Sequence, residues 1–494
     1  MAGVGFELKK LFSARTAAGH IRAYSYSAVI TAGPFALMTA MVLAVQMLFI
    51  IYGVSDESSS IFVASVVYAF VFSQILSSGF TMVLTRYLAD CISVARYHDI
   101  TASLIGMGSI LTGIGAIAGV AFFYGKPLTL LTRLLAYLFF ALLLLVWTES
   151  VYLSAVKKYK RLIVSYLEGV LVSIVLAFFL LVVKVLPPEQ AGLLAMDCGM
   201  GLVVLMFLYY IASQFGLPAD GMDFSFLPYF EKHWRLFFIS FCYTAGLFMP
   251  NIIIWQGPHG VDVAGTYLYS PVYDVVTFYA FLSILPLMMM FVVSVETDFY
   301  GRYAEYFSYI TRKGNFRDIT AAKRDLLHTL WFHLRHIIEF QLVFTLVSLA
   351  LGGFFLSCAG ITYGQVNMFN VLLFAAFFTG LLQLIYILLI YFDYQNDVMR
   401  VSACFFALNL IFGLLGLYVF GSQSYGFTFF AAAAISFIVG IWRLDHFTKR
   451  IDYFVFCSQP VFYLPPHGIL TKLTLWLYKD RYVDLEKLAQ AEQE

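Results

Sequence analysis

The sequence predicts an all-α integral membrane protein whose twelve transmembrane helices form two six-helix lobes. Three observations carry that expectation: an apolar composition, twelve apolar runs of spanning length, and a short repeat relating the first run to the seventh. Of 494 residues, 61% are apolar and 12% charged, and the mean hydropathy is +0.85. Soluble domains carry about 25% charged and about 45–50% apolar residues. A chain this apolar has lipid for a solvent, where a spanning helix takes about 20 apolar residues.

The runs fall at roughly 24–52, 60–84, 102–124, 128–155, 162–186, 191–214, 232–256, 266–294, 330–357, 366–392, 399–420 and 424–444. Cytoplasmic loops carry the excess of lysine and arginine. With the amino terminus inside, 27 of the 30 basic residues lie inside, and Lys126, Arg133 and Lys184 remain near the outer face. Both termini are therefore expected in the cytoplasm. Trp147, Trp234, Trp255, Trp331 and Trp442 fall near run ends, where amphipathic rings favour the interface.

The net charge of +1 gives no general attraction to nucleic acid. The six cysteines are scattered singly without metal-ligand spacing, so no metal and no cofactor is expected. A first apolar run too long for a signal-peptide core, preceded by a basic amphipathic stretch, argues against a cleaved leader.

An offset of 213 residues lays "HIRAYSYSAVITAGPF" (20–35) over "HWRLFFISFCYTAGLF" (233–248) with seven identities: His, Arg, Ser, Thr, Ala, Gly and Phe. The match divides the helices into six and six. An even number per half inserts both halves the same way up, which makes the repeat parallel. The expected organisation is an interfacial amphipathic segment (1–23), an N-lobe (24–214), a linker (215–231), a C-lobe (232–445) and a cytoplasmic or interfacial tail (446–494). The linker "FGLPADGMDFSFLPYFE" has two prolines and two glycines.

Helix breakers recur at matched places: Gly33 and Pro34 in the first run, Gly246 and Pro250 in the seventh, Pro271 and Pro286 in the eighth. Freed backbone groups in a membrane are tolerated only against protein or a wet cavity, so these six residues are candidate bends beside a transport route. Ionisable groups inside spans point the same way. Asp274, with Tyr269 and Tyr273 nearby and no cation one turn away, is the first candidate for the route. Glu339 with Arg335 is the second, although an i,i+4 pair accounts for both equally well. Glu149 and Glu168 lie about 9 Å from the cytoplasmic ends of their spans, where snorkelling toward Lys157, Lys158, Lys160 and Arg161 is the favoured account. Asp197 is a further charge within a span.

The long inside loop (295–329) carries "ETDFYGRYAEYFSYI", which sets Phe299, Tyr303, Tyr306 and Ile310 on one helical face after Glu296 and Asp298. It is a candidate platform for lipid or a cytoplasmic partner. "ILTKLTLWLYKDRY" near the carboxyl end reads as an interfacial helix or one docked on the protein's own inner face. No P-loop, G-x-S-x-G elbow, HExxH or polysaccharide-synthase signature is present in the sequence, and no enzymatic activity is expected.

"GFELKKL" at the start, the "GPF" break, "YSPVYD", "VETDFY" and "YFDYQND" together resemble the PelG family, the transporter subunits of bacterial Pel exopolysaccharide systems. The resemblance covers most of the chain. Phe35 stands where the family pattern has tryptophan. It implies the MOP flippase-like (MATE-like) superfamily, in which two six-helix lobes form a V and alternate access. It also implies export of a hexosamine-rich polymer across the bacterial inner membrane. The implied partners are membrane lipids, a cytoplasmic glycosyltransferase and small membrane subunits. Two alternatives stay open: a cation-coupled exporter of small molecules or lipid-linked oligosaccharides, and a non-transporting scaffold for a cytoplasmic glycosyltransferase.

Overall fold

In the computed structural model, residues 17–155, 159–217, 222–294, 298–311, 314–358, 360–421, 424–456 and 468–478 are described. Among them, twelve helices are long and apolar enough to cross a membrane. The first six spans are Ala17–Ile51, Asp56–Ser93, His98–Phe123, Leu130–Ala155, Tyr159–Val183 and Pro188–Phe215. The seventh is Trp234–Trp255, and the eighth is a pair of shorter helices, Pro271–Leu282 and Leu285–Ser294. Phe316–Cys358, Tyr363–Tyr391, Gln395–Leu415 and Phe427–Lys449 complete the set. The amino-terminal "GFELKKLF" stretch, Glu296, Lys479 and Arg481 lie outside the described residues.

The described residues divide into two compact units. One contains the chain from Pro34 to Phe248, residues 260–269 and the helix Ile469–Tyr478; the other contains the chain up to Gly33, residues 249–259 and the chain from Ser270 to Phe456. The divisions at 33/34 and 248/249 fall inside the first and seventh helices, next to Pro34 and close to Pro250. Both helices nevertheless run on through their prolines. The expected breaks at Gly33–Pro34 and Gly246–Pro250 are thus prolines carried inside continuous helices, where flanking turns keep the ladder. Pro271 is the first residue of its helix, a position where its missing donor costs nothing. Pro286 does coincide with an interruption, at Ser283–Ile284.

Within the first of these units the fifth and sixth spans meet backbone to backbone. A Cβ at Gly169 would come 2.7 Å from the Gly199 carbonyl oxygen, and one at Gly199 would come 2.4 Å from that of Gly169. Small residues permit such approach in lipid, where packing rather than hydrophobic exclusion drives association. A hairpin absent from the sequence expectation also belongs here. Val261–Val263 pairs antiparallel with Tyr267–Tyr269 around a turn in which Ala264 and Gly265 take φ of 51° and 60°. It docks on the second span: Tyr68 Oη donates to the Leu268 carbonyl at 2.7 Å and accepts from the Leu268 N–H at 3.0 Å. Ser65 Oγ donates to Tyr267 Oη at 3.0 Å.

In the other unit the tenth span is the most enclosed. The ninth helix has 43 residues, or ~65 Å, twice the hydrocarbon thickness of about 30 Å. Residues 340–358 carry no charge and measure ~29 Å. The crossing portion is therefore 340–358, and 316–339 extends beyond it.

Candidate functional site

The best-formed polar arrangement lies on the eighth span. Pro271 starts the helix, Ser270 stands at the N-cap position without a side-chain capping bond, and Asp274 sits in its first turn, where a negative charge meets the positive end of the helix dipole. Asn251 Nδ2 donates to Asp274 Oδ1 at 2.7 Å. Trp255 Nε1 donates to Asp274 Oδ2 at 2.8 Å, and the Ser270 N–H donates to the same oxygen at 3.3 Å. One carboxylate thereby ties the end of the seventh span to the start of the eighth. Trp255 is buried at 3% exposure with its indole N–H committed to Asp274, whereas Trp234 and Trp442 are exposed at 44% and 57%.

Nine residues further on, the helix breaks. Proline at 286 has no N–H to offer the Leu282 carbonyl, and the chain turns through 3₁₀-type bonds from Ser283 to Ala280 (3.1 Å) and Ile284 to Phe281 (3.0 Å). The Ser283 carbonyl accepts from Gln341 Nε2 of the ninth span at 2.8 Å. Gln341 is wholly buried. A neighbouring side chain thus satisfies one carbonyl at the interruption, the kind of replacement partner a broken helix needs in a bilayer. Gly380 of the tenth span closes the other side, with its Cβ position 2.6 Å from Leu287.

Other expected site residues are distributed differently. Tyr273 is fully buried beside Asp274 on the same turn. Tyr269 belongs to the hairpin of the other unit, packed against the cluster of Ile61, Ala64, Leu128, Val263 and Tyr267. Arg335 Nε meets Glu339 Oε1 at 2.7 Å, with the two side chains 82% and 57% exposed. They form the surface i,i+4 pair of the alternative account, and they precede the crossing portion of their helix. The platform is corrected as well. Phe299 and Tyr306 are buried, and Phe299 and Tyr303 pack on Tyr391 and Phe392 at the end of the tenth span, the closest pair 4.7 Å apart. That aromatic face is occupied by the protein itself. The helix Tyr300–Thr311 instead presents Arg302 and Glu305 outward, paired at 3.1 Å, while Asp298 lies 3.4 Å from His333 Nε2.

Glu168 is exposed, whereas Glu149 is buried at 4% exposure, which does not fit the snorkelling expectation. Rotation about the helix axis, rather than depth, decides this. Glu149 Oε2 and both carboxylate oxygens of Asp197 have no hydrogen-bond partner among the described residues. Sequence reasoning missed Asn251, Trp255 and Gln341 as functional candidates. Asn251 and Gln341, amides within or at the edge of charge-free runs, left a signal that could have been read.

A family model described as "PelG: Putative exopolysaccharide Exporter (EPS-E)" matches residues 1–456. The chain belongs to the PelG family. Solved structures share its fold. One is the outward-facing conformation of a multidrug resistance MATE family transporter of the MOP superfamily, with TM-score 0.55, 13% identity, 86% of this chain and 96% of the other. Another is a MOP superfamily transporter from Pyrococcus furiosus, with TM-score 0.57, 12% identity, 87% of this chain and 96% of the other. A third is MATE in the bent conformation, with TM-score 0.55, 13% identity, 86% of this chain and 96% of the other. No curated protein is similar enough to this chain to count as a relative. This PelG-family chain is a multi-pass membrane protein with a transporter fold; its family is described as an exopolysaccharide exporter, and its structural neighbours are transporters, not enzymes.

Proposed function

We propose that this chain moves a hexosamine-rich exopolysaccharide across the bacterial inner membrane, with its termini in the cytoplasm, beside a cytoplasmic glycosyltransferase and small membrane subunits. The PelG-family membership over residues 1–456 carries the reading. A hydroxyl-rich polymer cannot enter hydrocarbon without losing its hydrogen bonds, so its route must be lined by protein and water. The broken eighth span is suited to such a route. The Ser283 carbonyl is held by one neutral amide donor, Gln341, a bond that water or a sugar hydroxyl can replace with little change in energy when the segment moves. Asp274 keeps the start of the span fixed while the half beyond Ser283 shifts.

Complementation tests this. Cells lacking the chain should synthesise polymer but fail to secrete it, and the wild-type chain should restore secretion. Unchanged secretion in the deleted strain, with small dyes moved by the purified chain, would instead establish a small-molecule exporter. A scaffold role predicts that Gln341→Leu leaves secretion intact whenever the assembled complex is intact.

A coupled mode of export is favoured by Glu149 and Asp197. Carboxylate oxygens buried without a donor are costly as ions unless a proton or cation is taken up. Asp197→Asn should abolish any dependence of export on the transmembrane ion gradient while leaving the folded protein in the membrane.

A further inference from the structure

We propose that a cleft on the extended half of the ninth helix is a binding site for an anionic glycerophospholipid, held through its phosphodiester group. The cleft has a volume of about 810 Å³ and lies between the residues preceding the crossing portion of that helix and the end of the twelfth span. Lys323, Arg324, His328, Trp331, Arg335 and Lys449 line it, and Asp445 is the one carboxylate on its wall.

The charges there are unequally committed. Asp445 bonds Lys449 at 2.6 Å, and Lys323 is paired with Asp452 outside the cleft wall. Arg335 reaches Glu339 through Nε, which leaves its Nη groups for a ligand. Arg324 is exposed and forms no ion pair among the described residues. The cleft therefore offers guanidinium donors in the fork geometry that suits phosphate oxygens.

Its level along the helix selects lipid over a soluble anion. The uncharged crossing portion begins at residue 340. Arg335 lies ~8 Å and Trp331 ~14 Å before that edge along the helix axis, which is the depth of headgroups. Tryptophan favours that layer, and basic pockets between membrane helices at this depth take acidic headgroups. Trp331, Leu327 and Phe332 supply an apolar wall for the glycerol and first methylenes, and the cations supply the phosphate end. A zwitterionic lipid would bring its own ammonium against the same cations.

Native mass spectrometry of the full-length protein, released from nanodiscs of equal phosphatidylglycerol and phosphatidylcholine, tests the site. Wild type should retain phosphatidylglycerol in preference. Because each basic residue near a membrane surface adds to its attraction for anionic lipid, Arg324→Ala/Arg335→Ala should lose roughly tenfold or more of the preference, and Arg324→Lys/Arg335→Lys, which keeps the charge without the fork, should restore only part of it. Lys160→Ala/Arg302→Ala removes the same charge elsewhere and should change nothing. Undiminished preference in the double alanine variant overturns the proposal. So does displacement of the lipid by millimolar inorganic phosphate or glycerol phosphate, which would make this a site for a soluble anion.

Discussion

Asp274 illustrates why a charge within a span is an ambiguous sign. Sequence shows its depth and the absence of a cation one turn away; it does not show Asn251 and Trp255, which lie 23 and 19 residues back and meet it only once the seventh span and the following loop are folded. Hydrogen bonds to a charged group contribute about 1.5–3 kcal/mol each. Asn251→Leu should therefore lower stability by roughly that amount, read as a fall in the thermal midpoint of the purified protein. Asp274→Asn should fall less, because its amide oxygen can still accept from Trp255. Tyr267 offers a test by pH. Burial pushes its phenol up to about 12, against the opposing bond from Ser65. A phenol raised on folding contributes stability that is complete below its unfolded value near 10 and is lost as pH rises from there toward 12. The wild-type midpoint should fall across that window, and Tyr267→Phe should flatten the fall.

At the scale of the element, hydropathy fixes spans well because one rule, apolar length, governs them, while interruptions depend on neighbours. Pro34, Pro250 and Pro286 look alike in sequence, yet only at Pro286 does a helix end, with Gln341 ready to take the carbonyl. Gln341→Leu should leave that carbonyl unpaired at a cost of roughly 1–3 kcal/mol, with lower export at equal expression; Gln341→Asn, too short to reach, should resemble it. The hairpin escaped notice because its strands have three residues each and its turn places an alanine at positive φ. The helix Ile469–Tyr478 resolves a reading that sequence left open. Its threonines 471 and 474 are buried and Trp476 is exposed. Glu231 Oε1 and Oε2 accept from the N–H groups of Leu470 (2.5 Å) and Thr471 (3.1 Å), capping its first turn. Glu231→Ala should release this helix, seen as faster amide hydrogen exchange at Leu470 and Thr471 with the spans unaffected.

For the whole molecule, composition, twelve spans and the PelG likeness were legible before any coordinates, and the family match and transporter fold bear them out. The site was less legible. In lipid an apolar residue says nothing about which neighbour it faces, and a polar one is read correctly only when its partner is known: Trp255 inward, Arg335 and Glu339 outward, Phe299 and Tyr306 against the tenth span. The central claim is transport of a polymer. It is tested most directly with inverted membrane vesicles that contain this chain and its synthase, fed activated sugar. Newly made polymer should become protected from added glycoside hydrolase, and vesicles lacking the chain should make polymer that stays fully digestible. Equal protection with and without the chain would contradict the account.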